Sequence, residues 1–502
     1  MEKSRLWQIV KKMPKGALLH CHLEAMVDLD WALEEAFSTE GICVRSSGPL
    51  SCEHALLKTE FSFTYSTAKT KGDVSIWSEQ YVKDTCVPLL AAADSFAHGG
   101  RKGFVEWVRS RTSITADEHL KHHEGPNEVW RKFMSCFPIL GSIIYYEPIF
   151  RKFIRKMCKA LLHDGVFYVD MRSAFYTPYR SLRNEDWDED FFNMLEHMED
   201  EIEKFKASEE GKEFWGARMI WTTIRAFEKR QVIEREFPHS IYVSCYDNSR
   251  PGHFSVALTC HSDMKQCIEM KLEFPELIAG YDLVGQEDLG RSLADLAPEL
   301  FYFRKTCAEH GVDIPFFFHA GEILGDGDSV DENLFDAILL GTRRIGHGFS
   351  LYKHPLLIDM VKEKKILIES CPISNEVLRL CGSIMSHPLP ALLSRGVPCA
   401  LCNDDPTILG QGVSGMSHDF WQALQGWDNL GLEGLGSLAE NSVRWASFED
   451  YNQKEWVQEI KNGTMGEGTR AKRLKEWMSR WEKFCAWIVD EFGADENTNP
   501  EE

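Results

Sequence analysis

IPFFFHAGE, residues 314–322, decides the fold. Three aromatic residues carry a buried strand up to His319, Ala320 and Gly321 let the backbone approach a ligand closely, and Glu322 follows. An apolar run that stops at reactive polar side chains and gives way to a longer helical pattern is the signature of a strand in a βαβ unit. Outward from it the same pattern recurs. It appears in GALLH (16–20), GVFYVDMR (165–172), ARMIWTTIR (217–225) and LIAGYDLVG (277–285) on one side, and in RRIGHG (343–348), KILIES (365–370) and VPCALCNDD (397–405) on the other. Eight such strands predict an α/β chain closed into a parallel (β/α)8 barrel, whose C-terminal strand ends converge on one face.

The 502 residues allow one large domain with insertions or two to three ordinary ones, and the strand pattern favours the first. Residues 1–490 are read as a single barrel domain. More than a hundred residues separate strands one and two, with polar stretches such as VRSSGPLSCEH and TYSTAKTKGD, so 38–130 is expected to be an inserted lid or cap. Near the end, Trp477, Trp481 and Trp487 at near-helical spacing predict a packed terminal helix, and the acidic tail 491–502 is expected to be disordered.

A hydrophobic fraction of 43% with 27% charged residues is that of a soluble globular enzyme. The net charge of −22 repels phosphate backbones, which excludes duplex nucleic acid as a natural partner. No apolar run reaches the roughly 18 residues of a spanning helix, so no membrane partner is expected. The start MEKSRLWQIVKKMPKG lacks a signal-peptide stretch, which predicts a cytoplasmic location, or a secreted one if a leader has been removed. Fifteen cysteines, an odd number without repeated spacing, argue for reduced thiols, and one Asn-Gly-Thr sequon at Asn462 adds little.

The chemistry clusters where the strands stop. His20 and His22 lie two apart at the end of strand one, so alternation points both imidazoles to one side and lets them grip one metal ion. Strand five adds His319, and strand eight ends in Cys402-Asn403-Asp404-Asp405, adjacent carboxylates that are costly without a cation or donors. Alone, each competes with a satisfied core histidine or a capping aspartate. Together they make three histidines and a carboxylate, a zinc set with room for water. His347, between Gly346 and Gly348, is sterically open and suited to a proton shuttle, although a structural turn histidine looks the same.

MPKGALLHCHLE, FFFHAGE, RIGHGF, ESCPISN and CNDDP, in this order, resemble the signatures of the adenosine deaminase family, and the resemblance covers roughly residues 13–490. AMVDLDW, AGYDLVGQED and DAILLGTRRIGHGFSLYKHP are most similar to its growth-factor-related branch, typically secreted, without that branch's leader and N-terminal dimerisation segment. The resemblance implies a metal-dependent amidohydrolase barrel holding one Zn2+ on His20, His22, His319 and Asp404. It further implies that Glu322 protonates purine N1, that His347 positions and deprotonates the attacking water, and that Asp405 holds the hydroxide and the ring. Gly285 matches the backbone position that meets purine N3. Glu24 stands where a ribose-contacting aspartate is found in the intracellular branch, Asp170 is the strand-two acid in place of glutamate, and Leu324 falls where the secreted branch carries a tryptophan-containing loop. Leu23 replaces that branch's aspartate after the second ligand histidine. Glu24, Gly285, Asp405, Asp170 and Leu324 are therefore the expected substrate contacts.

The expected function is zinc-dependent hydrolytic deamination of a 6-aminopurine nucleoside, with a small-molecule partner only and a monomer or weak homodimer. The alternatives are a related zinc aminohydrolase acting on a nucleotide, free base or N6-substituted adenine, and a noncatalytic growth-factor-like binding protein. Three decoys are set aside. His22-Leu23-Glu24 with Pro398-Cys399-Ala400-Leu401-Cys402 imitates a cytidine-type deaminase, but on a strand Cys399 and Cys402 face opposite sides. DGDSVDEN (326–333) lacks the offsets of a calcium loop, and the run Arg151, Lys152, Arg155, Lys156 reads as a solvated helix face.

Overall fold

The computed structural model describes residues 3–67, 75–175, 177–227, 229, 242–243, 256–257, 264–412 and 415–493. Its centre is eight parallel strands: β1 (Gly16–Leu18), β2 (Val166–Ser173), β3 (Gly216–Ile224), β4 (Ile278–Val284), β5 (His319–Ala320), β6 (Arg344–His347), β7 (Leu367–Ser370) and β8 (Cys399–Leu401). Hydrogen bonds run in order through β1 to β4 and through β5 to β8. Parallel bridges Tyr281↔Phe316 and Cys21↔Asp404 join these two sheets at both edges, so the ring closes. Each expected strand is present. The run 314–322 is regular only at His319–Ala320, and before it the Pro315 carbonyl accepts from the Tyr281 amide while the Phe317 amide donates to the Tyr281 carbonyl.

Every residue in the eight strands is buried. Helices cover the outer face, as parallel sheets require, and the inner face is closed by side chains. That filling is partly ionic. Arg172, Arg344, Asp170, Asp282 and Glu369 are all fully buried. Arg344 reaches Asp170 (2.8 Å) and Glu369 (2.5 Å), and Arg172 reaches Glu369 (2.8 Å) and Asp282 (2.8 Å). Five charged groups from four strands thus form one belt directly beneath the strand ends.

The lower end of β1 is tied to the last helices. A side chain at Gly16 (φ +83°) would stand 2.8 Å from the Ala439 carbonyl of the helix Gly431–Arg444, so a glycine is required there. Trp477, on the expected terminal helix (Thr469–Phe492), donates its indole N–H to the Pro14 carbonyl at 2.9 Å. Residues 494–502 of the expected tail lie outside the described residues.

Between β1 and β2, antiparallel strands Phe61–Tyr65, Ile42–Ser46 and Val87–Pro88 form a small sheet in that order. Helices Leu89–Asp94 and Gly100–Thr112 follow, and Phe61 stacks on Trp107 with ring centroids 4.4 Å apart. The helix Pro126–Ile144 runs through residue 130 and brings the chain back over the barrel mouth. The basic run is an ion-paired helix face, with Arg151 on Asp200 and Glu201, Lys152 on Glu35 and Arg155 on Glu201. Within DGDSVDEN, Asp331 accepts from the Gly327 amide, Ser350 and His354, so its carboxylate is spent on folding the loop. No helix among the described residues is long and apolar enough to cross a membrane.

Candidate active site

The ends of β1, β5, β6 and β8 meet at one point. The ligand-capable atoms of His20, His22 and His319 all lie within 4.8 Å of one another. Asp404 Oδ1 lies 3.3 Å from both His20 Nε2 and His22 Nε2. The rings approach this closely because β6 offers no side chain at Gly346, where a Cβ would stand 2.9 Å from His20 Cε1. Two site residues, Asp404 (φ +56°) and His347 (φ +60°), hold left-handed backbone conformations that are costly for residues with a Cβ. Strain of about 1–3 kcal/mol each persists only where the surroundings impose it, and it gathers at functional sites.

The belt beneath sets the state of the imidazoles. His20 Nδ1 stands 2.9 Å from Glu369 Oε2, and His319 Nδ1 stands 2.7 Å from Asp282 Oδ2. Burial works to raise both carboxyls, but Arg172 and Arg344 around Glu369, and His319 and Arg172 around Asp282, outweigh it and hold them well below the usual range. Charged carboxylates accept protons, so Nδ1–H is the proton each ring carries and Nε2 is left with a lone pair. Burial drives His319 down to about 3, which keeps it neutral. His20 Nε2 is fully buried and finds no hydrogen-bond partner among the described residues. An unsatisfied nitrogen that faces two other imidazoles and a carboxylate fits a bound cation. Asp404 is suited to join it: burial would raise its carboxyl, but His347, His20 and His22 hold it well below the usual value. Cys371 also lies within reach of this cluster, and burial pushes its thiol well above the ordinary range.

Around the donors stand the acid and base candidates. Burial, with the nearby Asp404 charge, pushes the Glu322 carboxyl well above the usual carboxylate range. Its backbone N–H is held by Glu287 Oε2 at 2.8 Å, while its Oε1 has no hydrogen-bond partner among the described residues. Asp405 is raised likewise by burial and by Asp404, and neither of its oxygens is partnered among the described residues. His347 Nδ1 lies 3.4 Å from Glu322 Oε1, and its Nε2 lies 3.7 Å from Asp404 Oδ2. All these groups line one cleft with Glu24 and Gly285, and the helix Pro126–Ile144 supplies its apolar wall through Trp130, Phe133, Met134 and Phe137. Glu24 Oε1 accepts from Tyr145 Oη at 2.7 Å.

Two expected substrate contacts are not brought to the cleft, which corrects their assignment. Asp170 is buried below the site, where Tyr168 Oη, Arg344 and the Ser447 amide use its carboxylate. Leu324 is 49% exposed and outside the lining, with its carbonyl accepting from Lys353 Nζ. Sequence reasoning missed Asp282, Glu369, Arg172, Arg344 and Glu287. The available signal was the charge inside IAGYDLVG and KILIES, since a lone carboxylate in an apolar strand is costly unless paired.

Comparison with known proteins identifies relatives of this chain and structures that share its fold. The family profile described as "Adenosine deaminase" matches residues 256–462. The chain is 30% identical over 496 residues to the protein named adenosine deaminase 2 of Sus scrofa, covering 97% of this chain and 82% of that protein. Two solved structures share its fold. An amidohydrolase from Burkhoderia ambifaria with bound Zn superposes with a TM-score of 0.54 at 13% identity, covering 97% of this chain and 96% of that one. The N6-mAMP deaminase MAPDA of arabidopsis gives 0.52 at 15% identity, covering 91% and 100%.

Proposed function

Because the chain belongs to the adenosine deaminase family and is a hydrolase that removes an amino group, we propose that it converts adenosine or deoxyadenosine and water to the 6-oxo nucleoside and ammonia, with one zinc ion. The observation that carries this reading is the gathering of the His20, His22 and His319 donor atoms beside Asp404, with the buried Glu322 carboxyl in the cleft that His22, His319 and Asp404 line. Those four residues would hold zinc, which supplies the Lewis acidity that lowers the pKa of water to about 7.

Glu322 gives its proton to purine N1, which makes C6 electrophilic. His347 and Asp405, which line the same cleft, flank the water and govern its approach to C6. As the C6–O bond forms, the water proton passes alongside these two residues to the amino nitrogen. The C6–N bond then breaks, ammonia leaves, and the hydroxyl proton of the tetrahedral intermediate restores Glu322. The wall of Trp130, Phe133 and Phe137 covers the base and excludes bulk water. Gly285, at φ +107° on the lining, brings bare backbone to the purine edge, and the Glu24–Tyr145 pair accepts a sugar hydroxyl.

The lining favours a nucleoside over a nucleotide. No lysine or arginine is among the described lining residues, so a 5′-phosphate seated there would be desolvated without a counter-charge. Ammonia release is to be measured with adenosine, deoxyadenosine, adenine, AMP and N6-substituted adenosines. The nucleosides are expected to turn over with kcat/KM at least about 10²-fold above AMP. Glu322→Gln is expected to lose about 10²-fold or more in kcat with its zinc retained. Preference for AMP, or full turnover by the glutamine variant, overturns the reading.

A further inference from the structure

A buried side-chain relay behind His347 is not accounted for by zinc binding or by the acid at Glu322. Asn375 and His387 are 0% and 6% exposed. The Leu389 amide stands 3.1 Å from His387 Nδ1, His387 Nε2 stands 3.0 Å from Asn375 Oδ1, and Asn375 Nδ2 stands 3.1 Å from His347 Nδ1. The rings of Phe349 and Trp427, with centroids 5.4 Å and 5.9 Å from His387, hold that imidazole in place.

The direction of this relay follows from its anchor. A backbone N–H is a donor only, so His387 Nδ1 must accept and the neutral ring carries its proton on Nε2. That proton goes to an oxygen, which fixes Asn375 with Oδ1 toward His387 and its NH2 toward His347. His347 Nδ1 therefore accepts, and in the neutral ring the proton resides on Nε2. Reversing Asn375 would set its NH2 against His387 Nε2–H and leave a buried donor unpaired. Burial keeps His387 neutral, with its pKa driven down to about 3, so the anchor does not titrate at ordinary pH.

We infer that Asn375 and His387 are positioning residues that lock His347 as the Nε2-protonated tautomer, so that the ring presents a hydrogen-bond donor, not a proton acceptor, to the reacting oxygen. A ring with its proton on Nε2 offers no lone pair there, so although His347 lies within reach of the same cluster as His20 and Asp404, that nitrogen is unsuited to hold a cation.

The kinetic arm of the test rests on the deaminase reading, whereas its spectroscopic arm does not, so the two can fail separately. In the zinc-loaded protein labelled with 15N-histidine, the His347 signals are assigned by their loss in His347→Gln. They should show a protonated Nε2 and a bare Nδ1. A protonated Nδ1 overturns the inference even if deamination is robust. Asn375→Asp puts an acceptor at Nδ1 and should invert the tautomer. In a serine hydrolase the wrong tautomer costs about 10⁴-fold in kcat, so a loss of about 10²-fold or more is expected here, with KM and zinc content within about twofold of wild type. His387→Gln, which can still donate to Asn375 Oδ1, should restore most of the turnover that His387→Leu loses. Wild-type or higher kcat in Asn375→Asp shows that His347 works as an acceptor and overturns the inference. If that variant does not fold, the wild-type spectrum decides alone.

Discussion

Glu369→Gln probes how far the ionic belt supports both the fold and the metal site. Glu369 Oε1 takes the Arg344 Nε–H at 2.5 Å, and Oε2 takes His20 Nδ1–H at 2.9 Å and an Arg172 N–H at 2.8 Å. A glutamine can put its carbonyl where Oε2 stands and keep the last two bonds in weaker, uncharged form. Its NH2 then faces the Arg344 Nε–H, donor against donor. Arg172 and Arg344 retain Asp282 and Asp170, so neither cation is stranded. The loss therefore falls at the lower end of the roughly 3–5 kcal/mol of a fully broken buried pair. One lost charge-assisted bond and two weakened ones total about 3 kcal/mol. Because His20 also loses a charged partner, zinc binding should weaken about 10- to 100-fold. Urea unfolding of the metal-stripped protein reads the first effect, and chelator competition on the folded protein reads the second. Lys204→Ala, which removes an exposed pair with Asp200, is the control and should change stability by no more than about 0.5 kcal/mol. If Glu369→Gln matches that control in stability and keeps wild-type zinc affinity, the belt does not orient His20.

Acid stability follows from the same groups. Asp282 and Glu369 have folded pKa values depressed below their unfolded values, so the unfolded chain takes up protons first. Their contribution is present above about pH 4 and is lost as pH falls further through the folded values. The urea midpoint of the metal-stripped protein should therefore drop below about pH 4, and a midpoint unchanged down to about pH 3 would contradict the assignment. Trp130→Ala removes a buried aromatic from the cleft wall. Stacking on a base contributes about 1–3 kcal/mol, so KM for adenosine should rise by about 5- to 100-fold with kcat nearly unchanged. An unaltered KM in steady-state assays would remove that wall from the binding site.

Much of this was legible in sequence for one reason: the reactive residues terminate apolar runs. His20, His319, His347 and Asp404 each end a strand, and closing the ring puts strand ends on one face, so the meeting point follows from strand count. The belt was hidden because its partners are set by closure. Arg172 pairs with Asp282 across 110 positions and with Glu369 across 197, distances that no local pattern registers. Asp170 misled for the opposite reason. It sits near the end of a strand, as the ligands do, but its carboxylate is turned inward to Arg344 and Ser447. The helical wall from Trp130 to Phe137 carried no local signal of its role, since which face overlies the cleft depends on how the segment after β1 returns to the barrel.

The central claim is that His20, His22, His319 and Asp404 share one cation. Anomalous scattering at the zinc edge from crystals of the zinc-loaded protein tests it directly. The account predicts a single strong peak about 2.0–2.2 Å from three imidazole nitrogens and one Asp404 oxygen. A peak ligated by Cys371 or His347, or none at the barrel mouth, would contradict it.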